Sequence, residues 1–218
     1  STAMRHIFFW SVPALVLFVV LRAQIVRTVL GSGAFDWSDT RLTAASLALF
    51  AMSVVAQSAT LLLTRAYYAA GKTKAPLFIA SGGAFVTVCS AILFSRWFAG
   101  EPLVRFFMES LLRVSDLANT EMLILPLSYS VGTIASALVF WILYSRDFEK
   151  FGSEVSRMFW QCFASSVLMG TVSYGLLNVF DTVFDLHTTL GVFLQGFCAG
   201  AGGIVVGALI LYLLGNLE

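Results

Sequence analysis

Apolar residues gather in six stretches of this chain, at approximately 7–30, 39–68, 76–96, 121–145, 155–180 and 188–214. Each is close to or longer than the ~20 residues that a helix needs to cross a bilayer. Lipid offers a backbone group no partner outside its own helix, so each stretch is predicted to be α-helix. The pattern therefore predicts an all-α, polytopic integral membrane protein with six transmembrane helices.

The breaks between stretches carry their own chemistry. Gly31, Ser32 and Gly33 stop the first helix, and either Asp36 or Ser38 can cap the second. The second ends between Tyr68 and Gly71, and Pro76 restarts the chain in the first turn of the third, where a missing N–H costs nothing. Residues 65–76 are thus a tight basic turn. Pro13 and Pro126 fall inside predicted spans, where each is expected to kink its helix.

Residues 103–115 follow a different pattern. Arg105, Glu109, Arg113 and Asp116 recur along one helical face, and Leu103, Val104, Phe107, Leu111 and Val114 fill another. This is a short amphipathic helix, lying at the membrane interface or packed over the helix bundle.

Composition agrees with the pattern: of 218 residues, 59% are hydrophobic and 11% charged. The mean hydropathy of +0.88 is far above that of an ordinary soluble domain. A net charge of +1, without basic runs, gives no footprint for nucleic acid. With the N-terminus in the cytoplasm, Arg5, Arg65, Lys72, Lys74, Arg146, Lys150 and Arg157 lie inside, and Arg27, Arg41, Arg96, Arg105 and Arg113 outside. All three lysines then share the inner side, as the positive-inside rule expects.

Catalytic and metal signatures are lacking. Cys89, Cys162 and Cys198 sit in apolar stretches without ligand spacing, and read as small apolar residues. His6 and His187 fall at opposite predicted membrane faces, which rules out a His-based triad or metal site within one chain. Asp181 and Asp185 form an i, i+4 pair best read as a solvated loop. No nucleophile elbow, zinc-protease or P-loop spacing occurs, so neither an enzyme nor a cofactor is expected.

Three polar or side-chain-poor features stand out within the spans. Arg22 lies roughly 22 Å of helix beyond Ile7, short of the outer surface, with Gln24 beside it and Arg27 about one turn on. It serves either as a cationic wall for a phosphate-bearing ligand or as an interfacial anchor. Ser46, Ser53, Gln57, Thr60 and Thr64 share one stripe of the second helix, with Gln57 expected deepest. Such a stripe lines a transport cavity or joins helices. Gly196, Gly200, Gly203 and Gly207 make a face without side chains on the last helix, suited to close packing or to a lipid chain.

Two motifs carry a family resemblance. The stretch IVRTVLGSGAFDWSDT at 25–40, with Gly31, Gly33, Phe35 and Asp36, is similar to the outer turn of the MurJ or MviN lipid II flippases, members of the multidrug/oligosaccharidyl-lipid/polysaccharide superfamily. The stretch RAYYAAGKTKAPLFIA at 65–80, with Tyr68, Lys72, Thr73 and Pro76, resembles their inner turn. A weaker likeness covers SYSVGTIASALVFWILYSR at 128–146.

The six spans resemble the ninth to fourteenth helices of that fourteen-helix family. The resemblance implies a chain divided into four helices over residues 1–150 and two over residues 151–218, the last two bordering a groove for an undecaprenyl tail. It also implies an N-terminal lobe as partner, membrane lipids and lipid II as ligands, and the bacterial inner membrane as location. The family's pyrophosphate-binding arginines lie mostly in the first eight helices, so none carries over to a position here. The stretch 97–120 exceeds the usual family connection. Export of another polyprenyl-linked glycan, or a scaffold that does not transport, are the alternative functions.

Overall fold

The computed structural model describes residues 2–31, 36–147, 152–186 and 188–213. Ser32, Gly33, Phe35, Lys150 and His187 fall outside these. The described residues form α1 (Thr2–Val20), α2 (Arg22–Leu30), α3 (Trp37–Ala69), α4 (Lys74–Gly100), α5 (Pro102–Leu112), a 3-10 turn (Thr120–Leu123), α6 (Ile124–Asp147), α7 (Gly152–Phe180) and α8 (Thr189–Leu213). They contain no strand. Six helices are long and apolar enough to cross a membrane, as the hydrophobic pattern predicts. This is a multi-pass, all-α membrane protein.

The helices pack in an arc. α6 lies between α4 and α3, α1 packs on α3 and α7, and α8 packs on α7 and α2. Two apolar clusters hold opposite ends. At one, Met4, Phe8, Leu63, Tyr67, Phe140 and Cys162 interlock across α1, α3, α6 and α7. At the other, Ala45, Leu49, Leu112, Val114 and Leu123 join α3 to α5 and the 3-10 turn. α4 and α6 approach almost backbone to backbone: a Cβ on Gly132 would collide with the Thr87 hydroxyl and sit 2.9 Å from the Gly83 carbonyl. Ser130 of α6 donates to the Leu49 carbonyl of α3 at 2.6 Å, since a hydroxyl in an apolar interior needs an acceptor.

The first span holds a break, and the expectation for Pro126 needs correction. α1 continues as helix through Pro13, and the first span breaks at Leu21, so that it comprises two helices. The break is where α8 offers space: a Cβ on Gly200 would lie 3.0 Å from Leu21 Cδ1, and one on Gly196 2.9 Å from Gln24 Cβ. Pro126 sits in the first turn of α6 rather than in its interior, because a 3-10 turn precedes the helix.

The turns follow their local chemistry. Asp36, not Ser38, caps α3: its carboxylate accepts from the Asp39 N–H at 3.0 Å, and the Asp39 carboxylate accepts from the Asp36 N–H at 3.3 Å. The Ser38 hydroxyl donates to the same Asp36 carboxylate at 2.5 Å, which together with the Asp39 N–H holds that carboxyl below its ordinary range. α3 ends on Gly71 in the left-handed region (φ 73°), with Gly71 N–H bonded to the Tyr68 carbonyl and Lys72 N–H to the Tyr67 carbonyl, both at 3.0 Å. Lys72 then pairs with Asp147 at 2.6 Å.

The amphipathic segment is α5, and of its polar residues Glu109 turns inward while Arg113 and Asp116 stay exposed. Glu109 is buried and accepts from Thr120 Oγ1 at 2.6 Å and from Arg105 Nε at 2.8 Å. Burial pushes the Glu109 carboxyl up, but these two donors outweigh it and hold the group below its ordinary value. Leu103 and Phe107 point outward, 79% and 65% exposed, while Leu112 and Val114 at the end of the segment are buried. Leu103 and Phe107 also line a wholly apolar cavity of about 480 Å³ against Phe94, Trp97 and Leu127.

Candidate functional site

Two polar recesses occupy different parts of the arc. The first lies between α3, α4 and α6. Because α3 and α4 both lean on α6 and barely touch each other, a groove of about 660 Å³ opens between them. Gln57, Thr60 and Thr64 of the α3 stripe line one wall, Thr87 of α4 the other, and Thr133 and Ser136 of α6 the floor.

Most hydroxyls here satisfy themselves on their own helix. Thr87 donates to the Gly83 carbonyl, Ser136 to the Gly132 carbonyl and Thr133 to the Tyr129 carbonyl, each at 3.0 Å. Gln57 is exposed rather than deepest, and one amide hydrogen goes to Ser53 Oγ at 2.7 Å. That leaves the rest of its amide facing the groove. Thr60 Oγ1 is buried without a partner. Ser46 bonds back to the Leu42 carbonyl and does not line the groove.

The second recess, of about 440 Å³, lies where α2 begins, α3 begins and α7 ends. The break at Leu21 brings Arg22 and Gln24 to it, Arg41 enters from the first turns of α3, and Arg113 from the end of α5. Asn178 of α7, Asp181 just after it and Gln195 of α8 complete the polar lining. Arg41 is committed: both its terminal nitrogens bond Asp116, at 2.6 and 2.7 Å, and one also donates to the Arg113 carbonyl. That fork holds the Asp116 carboxyl below its ordinary range. Gln195 donates to the Leu177 carbonyl at 3.0 Å.

The other residues singled out in the sequence have clear positions. Gly196 and Gly200 face Gln24 and Leu21, and Gly203 and Gly207 face Ser173 and Met169 of α7, all four buried under protein. Gly31 ends α2, with its N–H on the Arg27 carbonyl at 2.9 Å. Asp36, Tyr68, Lys72, Thr73 and Pro76 belong to the turns at the two ends of α3, away from the groove lining. Asp181 lines the second recess, and no cluster of metal-ligand type occurs among the described residues.

Sequence reasoning alone did not bring Arg41, Arg113, Asn178 and Gln195 together. The two amides were detectable as lone polar residues in apolar spans. The two arginines were visible only as outer-side charges, because their convergence depends on how α5 folds back over α3.

Comparison with known proteins gives one clear relation. A family model described as "Lipid II flippase MurJ" matches residues 1–194. No curated protein and no solved structure matches the chain. The family match spans most of the sequence, includes both turn motifs and every lining residue of the two recesses but Gln195, and places the chain among transporters of a lipid substrate: it belongs to the lipid II flippase MurJ family.

Proposed function

We propose that this chain forms one wall of a carrier that moves undecaprenyl-linked peptidoglycan precursor across the bacterial inner membrane by alternating access. An N-terminal lobe of the same protein closes the path on the other side. The observation that carries this reading is the exposed Gln57 amide in the middle of an apolar span, opening with Thr60 and Thr64 into the groove beside α4 and α6. An uncompensated amide costs several kcal/mol in hydrocarbon, so this face meets water, substrate or protein rather than lipid tails. A sugar-bearing head group needs such a hydrated strip while its tail stays in lipid.

The test is rescue of cells depleted of their own lipid II flippase by the full-length gene. The unaltered gene restores growth and outer-leaflet lipid II, and Gln57→Leu combined with Thr60→Val lowers the flipping rate by roughly tenfold, the equivalent of one lost hydrogen bond to the cargo. Failure of the unaltered gene, with the protein present in the membrane, would assign another cargo.

A further inference from the structure

The second recess holds more positive charge than the protein neutralises. Its lining carries Arg22, Arg41 and Arg113 against the single carboxylate of Asp181, and only Arg41 has an ion-pair partner, Asp116 outside the lining. Neither Arg22 nor Arg113 pairs with a carboxylate among the described residues, and the two repel each other across the recess. Arg22 is half-buried, so water does not screen it fully.

Arg113 is held there at a cost. It occupies the left-handed region (φ 59°), which disfavours side chains by roughly 1–2 kcal/mol, at the point where α5 closes through Val114 N–H on the Glu109 carbonyl at 2.8 Å. Glycine would serve that turn better. What arginine adds is a cation at the rim of the recess. The surroundings mark the level of the recess in the membrane: Trp37, with Arg27 stacked 5.1 Å from its ring centroid, and Tyr174 are both about half exposed beside it. Amphipathic aromatics of this kind belong at the boundary between lipid and water.

The geometry points to an anion site at that boundary, in which Arg22 and Arg113 bind a phosphate group, with Asn178 as a neutral donor. Arginine suits this ligand because its planar fork donates to two phosphate oxygens at once. The ligand class is a phosphodiester or phosphomonoester, borne on a membrane lipid or free in solution. The site shares no lining residue with the groove between α3, α4 and α6, and does not depend on the cargo assigned to that groove.

Native mass spectrometry of the full chain, released from nanodiscs of phosphatidylglycerol mixed with phosphatidylcholine, tests it. The wild type retains phosphatidylglycerol preferentially. Arg22→Gln weakens retention about tenfold, as loss of a charge-assisted hydrogen bond should. Arg113→Gly weakens it similarly while leaving the unfolding midpoint unchanged or higher, so misfolding cannot account for the loss. Arg146→Gln, exposed at the opposite end, has no effect. Added inorganic phosphate that displaces the lipid identifies the phosphate group as the recognised element, and failure to displace it assigns the site to the lipid-borne form. Equal phosphatidylglycerol retention by the wild type, Arg22→Gln and Arg113→Gly overturns the proposal.

Discussion

The turn at Gly71 and the turn at Arg113 close their helices with the same pair of reverse hydrogen bonds, yet one uses the residue that the left-handed region favours and the other a long cation. Each is braced by an ion pair. Beside Gly71 the pair is Lys72 with Asp147, partly exposed, and beside Arg113 it is Glu109 with Arg105, sealed by Thr120. The first turn is a connection made as cheaply as backbone geometry allows. The second gives up conformational ease and spends buried polar contacts on holding a charged side chain in place, a difference that separates a joint from a binding feature.

The largest expected effect comes from removing the brace of the second turn. Glu109→Leu leaves Thr120 and Arg105 without their shared acceptor and should destabilise the protein by about 2 kcal/mol in detergent-induced unfolding. The same brace is sensitive to acid. Because the Glu109 carboxyl is held below its ordinary value, its contribution is complete above the usual carboxylate range and is lost as pH falls through the lowered value. Below about pH 4 the wild type should therefore lose more stability than Glu109→Leu does. Equal pH profiles would mean that the brace contributes nothing.

Exchanging the two turn residues gives the next effects, of opposite sign. Gly71→Arg places a side chain in the left-handed region where an added Cβ meets nothing within 4 Å, so the cost is conformational alone, about 1 kcal/mol. Arg113→Gly should gain about 0.5–1 kcal/mol by the same argument. If both exchanges destabilise equally, the arginine turn is shaped by packing and the contrast collapses. The smallest effect belongs to Lys72→Met: a partly exposed pair contributes about 0–1 kcal/mol, so its unfolding midpoint should move little.

The six spans could be read from hydropathy because lipid leaves no other use for such residues, and the family could be read from two turns whose glycines and caps are local in sequence. Asp36 and Gly71 behave as their neighbours dictate. The break at Leu21 could not be read, since the residue itself favours helix and the glycines of α8 that lie against it are far along the chain. Gln57 was expected at depth because burial was judged from position along one helix, while its exposure depends on α3 and α4 standing apart. The cationic recess was hidden for a related reason: Arg22, Arg41 and Arg113 are far apart in the chain and meet only when α5 folds over the head of α3.

One feature of α5 bears on how the protein rides in its bilayer. With phenyl rings facing out and its carboxylate facing in, this short helix has an oily outer skin that gains by staying wetted by acyl chains. Shifting the protein outward by one helical turn, about 5 Å, would strand that skin in water. The segment thus has the build of a waterline for this end of the bundle.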